Sequence, residues 1–252
     1  MQKKNKFFKT STKRKIRYHY LNKQSDLTLV FFHGFMSDML GKKPKIILQL
    51  AKKIKFNCLI FEYSGHGKSS DNFENGTISK WTNDAKQIIK KINKKNKLIF
   101  IGSSMGSWIA LNLFKVFKKY LVGFVGIASA PDFTELLMWN KFNKSLKKKL
   151  FKEKIIFIKN EYGSEYPITK NLILDGKKNK VLNKFKINLP VILFHGTHDQ
   201  SVPIIISKKT LKNFKGSYKK LYIIKKGDHS LSNKKNLKFI TTKIKELIKY
   251  IN

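Results

Sequence analysis

Residues 99–110 read IFIGSSMGSWIA, with two serines standing between two glycines and apolar runs on both sides. A serine hydroxyl is a weak nucleophile at neutral pH. It needs a base to take its proton, and the base needs a group to orient it. Gly102-Ser103-Ser104-Met105-Gly106 has the G-x-S-x-G spacing that sets such a serine on a sharp strand-to-helix turn, where only small residues fit on either side. The spacing selects Ser104 and leaves Ser103 as the intervening residue. Downstream, HGTHDQSVP (195–203) offers Asp199 and GDHSLS (227–232) offers His229, each just beyond an apolar run. Nucleophile, acid and base in that chain order form a recognisable set. Attack on a carbonyl also needs donors for the developing oxyanion. The backbone N–H of Met105 is one candidate, and that of Phe35, in FFHGFMSDM (31–39), is the other.

The set has rivals. Asp132 follows the apolar run 121–128 and competes with Asp199 as the acid; otherwise it caps the helix that follows it. His33 and His195 each precede a glycine at a strand end and read as structural. His66 lies in the turn YSGHGKSS, while His198 neighbours the acid and faces away from it. No histidine pair has metal-binding spacing such as H-E-x-x-H, so neither a metal nor any cofactor is expected. Phe133, Leu137 and Trp139, in PDFTELLMW (131–139), are candidates to line a substrate pocket.

These residues need elements to hold them. Short apolar runs at 27–32, 58–62, 97–101, 121–128, 189–195 and 220–224 read as strands, and 16–21 as an antiparallel edge strand. Helical periodicity appears at 43–54, 78–92, 105–118 and 236–250. Strands alternating with helices imply a mostly parallel sheet with helices packed on it. Residues 132–186 interrupt the alternation and read as a helical lid inserted into a single domain spanning 1–252.

The chain has 252 residues and a formal net charge of +39, which raises the question of nucleic acid or an anionic surface as partner. Only two of its 54 basic residues are arginines, Arg14 and Arg17. A surface shaped to grip phosphate makes more use of the bidentate guanidinium. The lysines are spread over the whole chain beside frequent Asn, Ile and Phe, all residues of AT-rich codons, which reads as base-composition drift. No specific nucleic-acid partner is therefore expected. No stretch reaches about 18 uncharged apolar residues, so no transmembrane helix is expected. The basic N-terminus has no apolar core or cleavage site, so no secretory signal is expected either. The lone cysteine, Cys58, excludes an intrachain disulfide and suits a reducing compartment, which points to the cytoplasm.

The strings HGFMSDMLGKK (33–43), YSGHGKSS (63–70), ISKWTNDA (78–85), GSSMGSWIAL (102–111), GIASAPDFTELLMW (126–139), ILDGKKN (173–179), HGTHDQSVP and GDHSLS carry a resemblance to the α/β-hydrolase superfamily over nearly the whole length. More narrowly, the sequence resembles the mitochondrial palmitoyl-protein thioesterases, also described as acyl-glucuronide esterases, and their bacterial relatives. The resemblance implies hydrolysis of acyl thioesters or carboxylic esters, including those of acylated proteins, with Ser104, Asp199 and His229 as the triad. Small-molecule esters or acyl glucuronides are the alternative substrates. From a different class of function, a catalytically idle fold that binds nucleic acid or anionic surfaces is the contrasting reading.

Overall fold

The apolar runs stand side by side in one sheet. The computed structural model describes residues 6–93, 95–159, 165–184 and 186–251. In chain order the strands are β1 (Lys6–Lys9), β2 (Lys15–Leu21), β3 (Leu27–Phe32), β4 (Asn57–Phe61), β5 (Lys97–Ser103), β6 (Leu121–Ile127), β7 (Ile155–Lys159), β8 (Glu165–Thr169), β9 (Ile187–Asn188), β10 (Val191–Gly196), β11 (Phe214–Lys215) and β12 (Lys219–Ile224). The helices are α1 (Lys42–Lys53), α2 (Ile78–Ile92), α3 (Met105–Asn112), α4 (Phe114–Phe117), α5 (Lys144–Glu153), α6 (Lys170–Lys178), α7 (Ile204–Lys212) and α8 (Lys234–Ile251).

Eight strands form the main sheet in the order β1-β2-β4-β3-β5-β6-β10-β12. β2 pairs antiparallel with β1 on one side and β4 on the other. From β4 to β12 every pairing is parallel. The strand expected at the edge, β2, therefore lies one place inside it. β1, with the sequence KFFK, takes the edge, where flanking lysines discourage further pairing.

A parallel sheet covered on both faces needs apolar residues at successive positions, and β3 and β4 are buried throughout. Alternate side chains feed two cores. Val30, Phe32, Phe100, Phe124 and Leu193 share one with Trp81, Ile88 and Trp108 of α2 and α3. Leu29, Phe31, Ile101, Val125 and Phe194 share the other with Ile47 of α1 and Ile244 of α8. Helix α2 begins where the Thr77 hydroxyl accepts the Lys80 N–H at 3.2 Å, and it buries Ile78, Trp81, Ala85, Ile88 and Ile89 at helical spacing. The helix expected over 105–118 is broken at Leu113 into α3 and α4.

The segment between β6 and β10 is less helical than its sequence suggests. A π-helical turn (Thr134–Met138) and a 3-10 turn (Trp139–Lys141) precede α5. β7 and β8 then form an antiparallel hairpin, with Ile156 opposite Ile168, before α6. IIFIK and YPIT are rich in β-branched and aromatic residues, which favour the pleated pairing. Residues 160–164, between the two strands, lie outside the described residues.

Parallel strands carry their carboxyl ends to one side of the sheet, where the following loops gather. The turns after β3, β5, β10 and β12 hold Phe35, Ser104, Asp199 and His229 respectively.

Candidate active site

Ser104 sits between the last residue of β5 and the first of α3 with φ 51° and ψ −120°, a conformation costly for an L-residue. Close packing enforces it. A Cβ on Gly102 would meet the backbone of Ser107 at 2.5 Å, and one on Gly106 would meet the Phe32 carbonyl oxygen at 2.1 Å. The Ser104 N–H donates to the Ile127 carbonyl at 2.9 Å, tying the turn to β6. Its side chain makes no cap bond to the helix it precedes.

The hydroxyl is instead 3.0 Å from Nε2 of His229, whose Nδ1 is 2.8 Å from Asp199 Oδ2. A carboxylate oxygen accepts, so the proton belongs on Nδ1, and Nε2 is left to accept from the serine. The Asp199 side chain is fully buried, and its other oxygen accepts the Val202 N–H at 2.8 Å. His195, 3.5 Å from the same carboxylate, donates from Nε2 to the Val202 carbonyl and accepts at Nδ1 from the Ser207 hydroxyl, both at 2.8 Å. Burial pulls the His195 pKa down, against the pull of Asp199. His195 thus acts as a neutral brace on the loop that carries Asp199.

Met105, whose N–H is a candidate oxyanion donor, is the first residue of α3, where the first N–H groups of a helix lack intrahelical partners. Phe35 belongs to the loop beside it. An added Cβ on the neighbouring Gly34 would stand 3.4 Å from Ser104 Cβ. The Phe35 ring packs edge-on against Phe73, Phe133 and Tyr166 at 4.9, 5.5 and 5.8 Å, which fixes that stretch of backbone.

Two cavities meet at Ser104 and His229. One, of about 280 Å³, runs under the insertion past Phe133, Leu137, Met138 and Tyr166. The other, of about 500 Å³, opens toward the start of α1 and includes Lys43 and Ser232. Of the three residues expected in a substrate pocket, Phe133 and Leu137 line the smaller cavity. Trp139 does not. It packs on Phe151, with the Lys147 and Lys177 ammonium groups each 4.9 Å from its ring centre. The π-helical turn explains the exchange, because residues five apart then share a face and Met138 follows Phe133 into the cavity.

Asp132 has a different task from either one expected of it. Its carboxylate accepts the N–H groups of Val181 and Leu182 at 2.9 and 3.1 Å, clasping the two ends of the insertion together instead of capping a helix. Burial raises its pKa, while these bonds and Lys180 and Lys184 oppose the rise. His33 donates from Nδ1 to the Gly34 carbonyl and lies well below the ordinary histidine pKa, chiefly through burial. His66 is packed against His33, Phe73 and Trp81, and burial lowers it to about 4. His198 is exposed. Among the described residues no group of three or more His, Cys, Asp or Glu is placed to hold a metal ion.

Residues 23–171, more than half the chain, match the family described as serine aminopeptidase, S33. The chain belongs to that family. The match includes Ser104 and ends before Asp199 and His229. The orangutan (Pongo abelii) mitochondrial palmitoyl-protein thioesterase ABHD10 is 28% identical over 223 residues, which are 87% of this chain and 72% of the relative. A putative hydrolase from Agrobacterium vitis S4 superposes with a TM-score of 0.91 at 29% identity, covering 97% of this chain and 98% of the other. The mouse α/β-hydrolase domain-containing protein 10 gives a TM-score of 0.90 at 23% identity, covering 99% and 100%, a likeness of fold. The protein is an α/β-hydrolase related to the mitochondrial ABHD10 proteins and to bacterial relatives.

Met138, one of the apolar residues of PDFTELLMW, lines the smaller cavity of this hydrolase. The residue at the site that carries no signal in the sequence is Lys43, one of many lysines, yet its ammonium donates to the Ser230 carbonyl at 2.6 Å and approaches the Ser232 hydroxyl at 3.4 Å. Burial lowers its pKa to about 8, against the attraction of Asp228. The string HGFMSDMLGKK held it in view, but without the fold nothing joins residue 43 to residue 230.

Proposed function

We propose that the protein is a serine hydrolase that cleaves acyl thioesters or carboxylic esters through an acyl-enzyme on Ser104. The observation that carries this reading is the unbroken chain of contacts from Ser104 Oγ through His229 to Asp199, at 3.0 and 2.8 Å. His229 takes the Ser104 proton as Oγ attacks the carbonyl carbon. Asp199 orients the imidazole and stabilises the imidazolium that forms. The N–H groups of Met105 and Phe35 receive the oxyanion, and such donors are worth about 3–4 kcal/mol each. His229 then gives its proton to the departing alcohol or thiol. Water, deprotonated by the same histidine, releases the acid and restores Ser104. The scheme requires no cofactor.

The choice of ester or thioester over peptide rests on the name of the ABHD10 relative, a palmitoyl-protein thioesterase. The apolar lining from Phe133, Leu137 and Met138 favours an acyl chain in the smaller cavity, with residues 132–186 acting as its lid within a single domain. No helix among the described residues is long and apolar enough to cross a membrane. The buried Cys58 thiol, pushed up to about 12 by desolvation, suits the reducing cytoplasm, although the ABHD10 thioesterase is mitochondrial.

The test is reaction of the purified protein with a fluorophosphonate probe, with Ser104→Ala as control, followed by p-nitrophenyl esters and acyl thioesters of graded chain length. Labelling of the wild type alone supports the serine mechanism, and the length profile separates long-chain thioesterase from small-ester hydrolase. A folded wild type that resists the probe and cleaves none of these substrates would overturn the reading.

A further inference from the structure

Lys43 is a cation placed inside the reaction cavity that the chemistry above does not use. The larger cavity is bounded by the loop after β3, the first turn of α1 and the loop that carries His229. Lys42, Lys43, Ser230 and Ser232 line it together with Ser104 and His229, and no acidic side chain is among its described lining residues. An ammonium group has three N–H donors. The Ser230 carbonyl takes one at 2.6 Å and the Ser232 hydroxyl lies at 3.4 Å, so a third N–H has no partner among the described residues.

Within the cavity that charge meets no carboxylate, and Asp228, outside it, is the acid that attracts it. The first turn of α1 carries no acidic residue, and Gly41, at its N-cap, has no side chain to satisfy the free N–H groups. Lysine is an unfavourable residue at the positive end of a helix dipole, so the dipole adds to the positive field here. His33, on the same wall, is held neutral by burial. Asp228 is exposed, spends one carboxylate oxygen on the Leu231 N–H at 2.8 Å, and does not line the cavity. Moving a lysine into such a place is costly unless an anion meets it.

We propose that Lys43 is a specificity residue that recognises a carboxylate or phosphate on the leaving-group half of the substrate. The inference rests on the serine-hydrolase reading. If the acyl chain lies against Phe133, Leu137 and Met138 in the smaller cavity, the alcohol or thiol half extends into the larger one, which also opens on Ser104 and His229. There His229 supplies the proton as the C–O or C–S bond breaks, and Lys43 holds the anionic tail of the departing group. The preferred substrates are then acyl esters of hydroxy acids or of phosphate-bearing alcohols and thiols.

The test uses two butyryl esters, of 4-hydroxybenzoate and of 4-hydroxybenzamide, which differ in one negative charge on the leaving group. Wild type and Lys43→Met are compared by the ratio of kcat/KM for the two, so that leaving-group reactivity cancels. The expected result is a roughly tenfold fall in that ratio in Lys43→Met, largely restored in Lys43→Arg. A ratio within twofold of wild type, with both esters slowed together, would overturn the proposal and leave Lys43 as a strap on the His229 loop. Should Lys43→Met not fold, inhibition of the wild type decides. 4-Hydroxybenzoate should inhibit at a concentration at least tenfold below that of 4-hydroxybenzamide, and equal inhibition overturns the inference. A wild type that reacts with fluorophosphonate but ignores the charge difference defeats only this proposal. One that neither labels nor cleaves either ester defeats the serine-hydrolase reading and this inference with it.

Discussion

The α-carbon of Gly106 comes so close to β3 that an added Cβ would lie 2.1 Å from the carbonyl oxygen of Phe32. This single approach seats α3 on the sheet and sets the start of the helix beside the loop holding His33 and Phe35. In an exposed helix, Gly→Ala stabilises by about 1 kcal/mol. Here the sign reverses, because the backbone oxygen cannot move aside as a flexible side chain would. Gly106→Ala is expected to cost about 1–3 kcal/mol or more through overpacking, lowering Tm by about 2–4 °C per kcal/mol in a chain of this size. Thermal unfolding of the variant beside the wild type checks this; an unchanged or higher Tm would contradict the close approach.

The backbone at Ser104 makes a separate prediction. A φ of 51° with ψ −120° holds strain of about 1–3 kcal/mol, which Ser104→Ala retains and Ser104→Gly relieves. Glycine gives back about 0.5–1 kcal/mol through the entropy of its unfolded chain. Ser104→Gly should therefore be more stable than Ser104→Ala by about 1 kcal/mol, while both fail to react with fluorophosphonate. Urea unfolding of the pair measures the difference, and equal midpoints would mean that the turn carries no such strain.

Much of this arrangement was visible in the sequence because its signals are local. Continuous apolar runs announce strands buried on both faces, and G-x-S-x-G between a strand and a helix leaves few other turns possible. Asp199 and His229 stand out because each lies in the loop just past a strand. What the sequence concealed depends on longer or subtler relations. Lys43 meets Ser230 across 187 residues, and its type says nothing in a lysine-rich chain. Trp139 was misplaced because one i→i+5 turn changes which residues share a face. The β7–β8 hairpin was read as helix because its apolar residues sit among lysines, and its pairing is fixed by contact with a neighbour that periodicity cannot see.

Buried histidines should make the protein sensitive to mild acid. His66 falls to about 4 through burial, and His33 and His195 are lowered by the same cause. In the unfolded chain each titrates near 6.5. As pH falls below about 6.5 the unfolded chain takes up protons that the folded chain refuses. The stability is therefore complete above that value and is lost progressively toward pH 4. His66 contributes a slope of about 1.4 kcal/mol per pH unit in this window, about 3 kcal/mol in all, and His33 and His195 act in the same direction. Urea midpoints between pH 7 and 4.5 should fall for wild type and fall less steeply, by about one proton, for His66→Phe. Parallel slopes would show that His66 is protonated in the folded state.

Acyl-chain preference should distinguish two neighbours that the sequence treats alike. Met138 lines the cavity under the insertion, while Trp139 is held outside between Lys147 and Lys177. If the acyl chain lies against Met138, shortening that side chain removes apolar contact from long substrates but little from short ones. Each methylene that loses its burial costs about 0.8 kcal/mol. Met138→Ala is then expected to lower kcat/KM for a dodecanoyl ester about tenfold relative to a butyryl ester. Trp139→Ala should leave that ratio unchanged and lower stability instead, since it removes the ring contact with Phe151 and two cation–π contacts worth about 0.5–1 kcal/mol each at an exposed site. The reverse pattern, with Trp139→Ala altering chain-length preference and Met138→Ala leaving it intact, would place the acyl chain on the outer face of the insertion and not beneath it.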